Sequence, residues 1–245
     1  MKRVSKVLTA LVLGTVLAGL AAGCGGEKKA DTIKVGANLE MTGGSASYDL
    51  NGKQLELVVA DNKSEAAEAT NAMQKLVSQD NVVAVIGPNL SSSVIAASAI
   101  NNSAKVLDIA PMATNPYVTV DQASGKTKDF NYRTCFIDPF QGTVMAKFAT
   151  AELGVGNAAI LIDNSSDYAK GLAQFFKENF VKEGGAVTAE ESYLQKDTDF
   201  KATLTKIKAT NPDFLYVPGY YQEVGLIVKQ ARELGMNMPI AGGDG

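Results

Sequence analysis

The residues able to do chemistry in this chain sit in short polar runs between apolar ones. Ser91, Ser92 and Ser93 offer three hydroxyls where a helix is expected to begin. The free backbone N–H groups and dipole of a helix N-terminus favour an anion such as a carboxylate. Thr114 closes the run Ala110-Pro111-Met112-Ala113-Thr114 and adds another hydroxyl. A lone serine before a helix is often a simple N-cap, so a capping role stands beside the binding one. Further on come Asp163-Asn164-Ser165-Ser166-Asp167-Tyr168, Pro218-Gly219-Tyr220-Tyr221 and Gly243-Asp244. A carboxylate and tyrosine faces attract an ammonium group. Packing at a helix start is the competing role for Tyr220 and Tyr221. An anion receptor on one unit and a cation receptor on the other fit a zwitterion, hence an α-amino acid.

Composition removes several alternatives. The chain has no histidine, which excludes Ser-His-Asp and Cys-His catalysis and HExxH zinc sites. A serine hydrolase of α/β type also needs G-x-S-x-G, and that motif is absent. No metal or organic cofactor is implied. The cysteines are Cys24 and Cys135, so with Cys24 engaged elsewhere no internal disulfide can form. Removing residues 1–23 lowers the basic count from 23 to 20 against 26 acidic residues, a balance of −6. Such a surface is a poor partner for nucleic acid.

The elements that must position these residues alternate. Ile33–Ala37, Leu55–Ala60, Val82–Gly87 and Val106–Ile109 read as strands, and Val82–Gly87 is apolar enough for the buried centre of a parallel sheet. Glu65–Gln79 reads as a helix with Ala66, Ala69, Met73, Leu76 and Val77 on one face, and a small-residue helix runs from Ser91 or Ser92 through Asn101. Asn115–Phe130 is polar and lacks periodicity, after which the rhythm restarts. Helices are expected at Gln141–Leu153, Tyr168–Lys182, Phe200–Thr210 and Gln222–Leu234. Strands are expected at Ala158–Asp163, Ala186–Tyr193, Phe214–Val217 and Pro239–Ala241. The pattern predicts two doubly wound, Rossmann-like α/β lobes with parallel sheets, at 32–134 and 135–245, joined around 131–137. One continuous sheet is the alternative. In open α/β sheets ligands bind beyond the carboxyl ends of the strands, where the polar runs fall.

Two stretches look incomplete. Asn38–Lys53 shows no helix, although a parallel crossover of a dozen or more residues is usually helical. The chain ends at Gly242-Gly243-Asp244-Gly245, just after a strand. These features lead us to expect a fragment or truncated product that is marginally stable and binds weakly by itself, with the second lobe the better ordered.

The N-terminus carries an address. Lys2, Arg3 and Lys6 precede the uncharged run Val7–Leu20, then Leu20-Ala21-Ala22-Gly23-Cys24 and a polar stretch. A short apolar segment after a basic start is an export signal, too short to span a membrane. Its end resembles the lipobox of bacterial lipoproteins, with Ala21 where Leu is commonest. The resemblance implies a signal peptide over 1–23, lipidation at Cys24, a tether over 24–31 and a domain held by acyl chains at the outer face of the membrane.

Longer stretches carry a second resemblance: IKVGANLEMTGGSASY, NGKQLELVVADNKSEAAEA, VVAVIGPNLSSSV, APMATNP, DNSSDYAKG, DFKATLTKIKATNPDFLYVPGYYQE and AGGDG. From about Ile33 onward the chain resembles the branched-chain amino acid (Leu/Ile/Val) binding proteins of ABC importers, which have the type I periplasmic-binding fold. That resemblance implies a monomer that captures a small amino acid between two lobes and delivers it to permease subunits. It implies that Ser91, Thr114 and backbone groups near Met112 hold the ligand carboxylate. Asp244 would meet the ammonium with Tyr220, and Tyr48, Tyr168 and Tyr220 would line the cleft. The chain departs from the pattern between Tyr48 and Asn51, where roughly twenty residues including a helix are missing, and again after Asp244, where the family chain continues. A ligand sensor on the same fold, without a transport partner, is the rival reading.

Overall fold

Apolar residues at helical spacing build the first described helix. The computed structural model describes residues 57–245. Cys24, Tyr48, the leader, the tether and the strand expected at Ile33–Ala37 lie outside the described residues. α1 (Ala66–Ser78) buries Ala69, Met73 and Leu76, a four-then-three spacing that makes one apolar stripe. It packs on α2 (Ser91–Ala104), whose own buried face is mostly small: Ser91, Ser93, Val94, Ala97, Ser98 and Asn101.

Three parallel strands follow the order β1 (Ala84–Ile86), β2 (Leu107–Ala110), β3 (Asn131–Arg133). Val94, Ala110, Ala113 and Val118 form the core of this lobe among the described residues. Two expectations need correction here. Leu57–Ala60 is not a strand: it has no ladder partner among the described residues, and Leu57 and Val59 are 82% and 81% exposed. Val82–Gly87 is not a sheet centre either. Only Ala84–Ile86 is strand, it pairs on one side alone among the described residues, and Val83 and Ile86 are 90% and 80% exposed. An all-apolar run signals burial on both faces only where neighbours cover it, and among the described residues β1 is an edge.

Residues 134–137 join β3 to α3 (Asp138–Lys147), which begins earlier than expected because Pro139 suits the first turn. It ends in a π-helical turn at Phe148–Glu152, within the span read as plain helix. The second sheet has the order β5 (Ala186–Tyr193), β4 (Asn157–Asp163), β6 (Phe214–Tyr216), β7 (Ile240–Ala241), all parallel. Among the described residues there are thus two separate sheets, not one continuous sheet.

The second sheet is covered on both faces, and strand alternation does the sorting. Ala158, Ile160, Phe214 and Tyr216 face the π-helical turn and α4 (Asp167–Lys182), against Ala149, Leu172, Phe176 and Phe180. Ala159, Leu161, Leu215 and Val217 face α5 (Lys201–Ala209) and α6 (Tyr221–Glu233), against Leu204, Ile207, Ile227 and Ala231. Gly142 lets α3 lie close on α4. A Cβ there would stand 2.6 Å from Phe175 Cβ and 2.7 Å from the Phe175 backbone.

Candidate functional site

The site grows from strand ends. Gly87, at φ +97°, turns the chain out of β1 in a conformation that side chains resist, and the next residues lead into α2. Leu90 is the N-cap of α2 and makes no side-chain cap bond, so the serines do not serve as caps. Ser91 is buried, and its Oγ accepts from the Asn115 backbone N–H at 3.2 Å. The Ser92 Oγ reaches the other lobe, where it accepts from the Asp167 N–H at 2.8 Å.

The loop after β2 is shaped by a residue with no obvious sequence signal. The Arg133 guanidinium donates to the carbonyls of Ala113, Asn115 and Pro116 at 3.2, 2.9 and 3.1 Å, and to Thr119 Oγ1 at 2.8 Å. Four donors on one loop fix the path that presents Met112 and Thr114. Met112 is exposed at the cleft. Thr114 turns away from it: its hydroxyl is buried and has no hydrogen-bond partner of good geometry. It stands beside Asp138, which is also fully buried with both oxygens unpartnered. Burial pushes the Asp138 carboxyl up to about 6, the Asp244 charge adds to this, and Thr114 and Arg133 oppose it.

Across the cleft, β4 and β6 are neighbours whose following helices leave on opposite faces, and the loops after them form the far wall. Ser166 caps α4 by accepting from the Ala169 N–H at 3.2 Å, and Tyr168 follows in the first turn. Tyr168 stacks on Tyr220, with ring centroids 5.5 Å apart and planes 27° apart. The Tyr168 hydroxyl donates to Asp244 Oδ1 at 2.9 Å and accepts from the Gly245 N–H at 3.0 Å. Gln141, from α3, donates its Nε2–H to the same Asp244 oxygen at 2.7 Å. Gly243 is needed where it stands, because a Cβ there would collide with the Tyr168 hydroxyl.

Burial and the nearby Asp244 charge push the Tyr168 phenol far above its usual range, and burial pushes Tyr220 up to about 12. Both rings are therefore neutral at neutral pH. They present a hydroxyl donor and two π-faces beside one carboxylate, a setting that suits an ammonium group.

A cleft of about 50 Å³ is lined by Asn89, Leu90, Ser91, Met112, Tyr168, Tyr220, Asp244 and Gly245. The structure thus brings together Ser91, Met112, Tyr168, Tyr220 and Asp244. It leaves Thr114 behind the wall and Tyr221 in solvent, while Tyr48 lies outside the described residues. Sequence reasoning missed Gln141, Asn115 and Arg133, whose roles come from contacts between distant segments. Among the described residues no group of three metal-type ligands occurs, and no helix is long and apolar enough to cross a membrane.

A pair of parallel α/β lobes with a cleft at their strand ends is the architecture of the type I periplasmic-binding fold. The chain belongs to the periplasmic binding protein family, whose profile, described as "Periplasmic binding protein", matches residues 45–245. It is 33% identical over 201 residues to an amino acid binding protein of Pseudomonas aeruginosa, spanning 82% of this chain and 52% of that one. It is 30% identical to the leucine-, isoleucine-, valine-, threonine- and alanine-binding protein of the same organism, over all of this chain and 68% of that one. Among solved structures, a leucine binding protein of Thermotoga maritima is 39% identical with TM-score 0.73, covering 78% of this chain and 53% of that one. A branched-chain amino acid transporter substrate binding protein of Streptococcus pneumoniae, solved with isoleucine, is 41% identical with TM-score 0.70, covering 81% and 54%. The chain spans about half to two thirds of the length of the relatives it matches. These relatives are all described as binding proteins.

Proposed function

We propose that the protein captures a branched-chain or similar small α-amino acid in the cleft between its lobes, outside the cell membrane, and delivers it to an ABC permease. One observation carries this reading: Ser91 on one lobe and the Asp244–Tyr168–Tyr220 group on the other line a single cleft. The α-carboxylate lies at the N-terminus of α2, where Ser91 and the helix dipole favour an anion beside Met112, and Thr114 supports this side from behind the wall. The ammonium lies at Asp244 against Tyr220, with Tyr168 as a further cleft wall. The amino acids bound by the Pseudomonas and Streptococcus relatives support an α-amino acid as the ligand class. No bond is made or broken. Ligand binding shifts the balance between open and closed lobes.

Calorimetry across the twenty amino acids tests the ligand class. Saturable heats confined to aliphatic side chains support the reading, and equal heats for acidic, basic and aliphatic amino acids contradict it. The reading includes a lipid anchor at Cys24 after removal of residues 1–23. Cys24→Ser is then expected to move the protein from the membrane fraction to the soluble one. Equal retention of both proteins after a carbonate wash would remove the anchor from the account.

A further inference from the structure

Asn115 touches both halves of the cleft. Its side chain is buried, and its backbone N–H donates to Ser91 Oγ at 3.2 Å, on the carboxylate side. Its Oδ1 accepts from the Tyr117 N–H at 2.9 Å, capping the 3₁₀ turn Pro116–Val118. Its Nδ2 crosses to the other lobe and donates to the Asp167 carbonyl at 2.7 Å. Ser92 Oγ accepts from the N–H of the same Asp167 at 2.8 Å. Asp167 is the first residue of α4, so its N–H has no partner inside the helix, and the first lobe supplies one. Both main-chain polar groups of Asp167 are thus held from across the lobe boundary, directly before Tyr168.

The approach is close enough to demand a glycine. A Cβ on Gly171, one turn further along α4, would stand 2.7 Å from Asn115 Nδ2 and 2.8 Å from Asp138 Oδ2. Three separate features, an amide, a hydroxyl and a missing side chain, therefore meet at one contact between the lobes.

We propose that Asn115, with Ser92, is a positioning latch that fastens the N-terminus of α4, and with it Tyr168, to the loop that supports Ser91. The latch couples the carboxylate end of the cleft to its ammonium end, and this role rests on the reading of the cleft as a ligand site. It contacts no ligand side chain, so it sets how tightly closure is held without choosing among ligands. Weakening it raises the release rate of every ligand by a common factor.

Asn115→Asp separates latch from cap. It keeps the Oδ1 acceptor for Tyr117, and Asp caps as well as Asn, but it has no N–H for the Asp167 carbonyl. Gly171→Ala weakens the same contact without removing a polar group. The two variants and the parent are compared by small-angle X-ray scattering without ligand, and by stopped-flow release of L-leucine and L-isoleucine. Both variants are expected to have a larger radius of gyration and to release both amino acids about 3- to 10-fold faster, the effect of one lost hydrogen bond. Asn115→Asp also sets a carboxylate oxygen against the Asp167 carbonyl, so its melting temperature is expected to fall, and Gly171→Ala gives the scattering and release readout free of that charge. Parent-like scattering and release in both variants would overturn the latch, as would a changed rate for one amino acid only. If Gly171→Ala does not fold, Ser92→Ala takes its place. If the parent binds neither amino acid, the ligand reading fails, and the ligand-free scattering still decides the latch.

Discussion

Asp244 is held from two directions, by the Tyr168 hydroxyl and by the Gln141 amide, both on Oδ1. Its second oxygen makes no hydrogen bond among the described residues and is the one available to an ammonium. Asp244→Asn keeps an Oδ1 for both donors while replacing the free oxygen with an NH₂. Amino acid binding should weaken by about 2–5 kcal/mol, the scale of a broken desolvated charge pair. Ser91→Ala should cost about 1–3 kcal/mol, because neighbouring N–H groups remain. Calorimetry of both variants checks this, and an unchanged affinity in Asp244→Asn would mean that the carboxylate serves another purpose. Asp108, in the middle of β2, behaves differently. It is fully buried, Asn131 Nδ2 donates to its Oδ2 at 2.7 Å, and its Oδ1 has no partner. Burial raises its carboxyl from the usual 3.8 to about 7, against the opposing pull of Asn131 and Lys128. Between those values the folded protein keeps a proton that the unfolded chain has released, so this group makes stability fall as pH rises from about 4 to about 7. Asp108→Asn keeps an acceptor for Asn131 and removes the charge. Its melting temperature should exceed that of the parent at pH 8, and the advantage should shrink towards pH 5. Parallel pH curves for the two proteins would show that Asp108 stays ionised at no cost.

At the scale of elements, what was legible is what local periodicity encodes. The stripe Ala69, Met73, Leu76 announced α1, and β5 runs over Ala186–Tyr193, the span expected for it. The polar runs after each strand announced where a ligand site belongs. Edge and centre were not legible: Val82–Gly87 is apolar in composition whether or not a neighbour covers it. The contacts of Gln141 with Asp244 and of Asn115 with Asp167 were hidden as well, because they join residues far apart in sequence. The start and end of α3 were blurred by Pro139 and by the π-helical turn, which no simple period encodes. The α3–α4 contact gives a direct test of packing. Gly142→Ala puts a methyl group 2.6–2.7 Å from Phe175 Cβ, the Phe175 carbonyl carbon and the Phe176 nitrogen, none of which can swing aside. Such overpacking costs about 1–3 kcal/mol. A fall in the urea midpoint of that size is expected, with an unchanged slope. A midpoint at or above the parent value would mean that the two helices separate freely.

At the scale of the whole molecule the second lobe packs twelve buried residues on one sheet face and eleven on the other. It carries Asp244, Tyr168 and Tyr220, and the first lobe carries Ser91 and Met112. The two groups line one cleft, with Ser92 and Asn115 bridging to α4. That arrangement makes both ends of the ligand matter at once: a cation alone satisfies one lobe, and an anion alone satisfies the other. The most direct test is calorimetric titration with L-leucine beside two analogues that each keep the side chain and one charge, 3-methylbutylamine and 4-methylpentanoate. The account predicts saturable binding of leucine that neither analogue reproduces, with each analogue weaker by at least about tenfold, a difference of about 1.4 kcal/mol. Equal affinity for leucine and either analogue, or no binding of leucine, would contradict it.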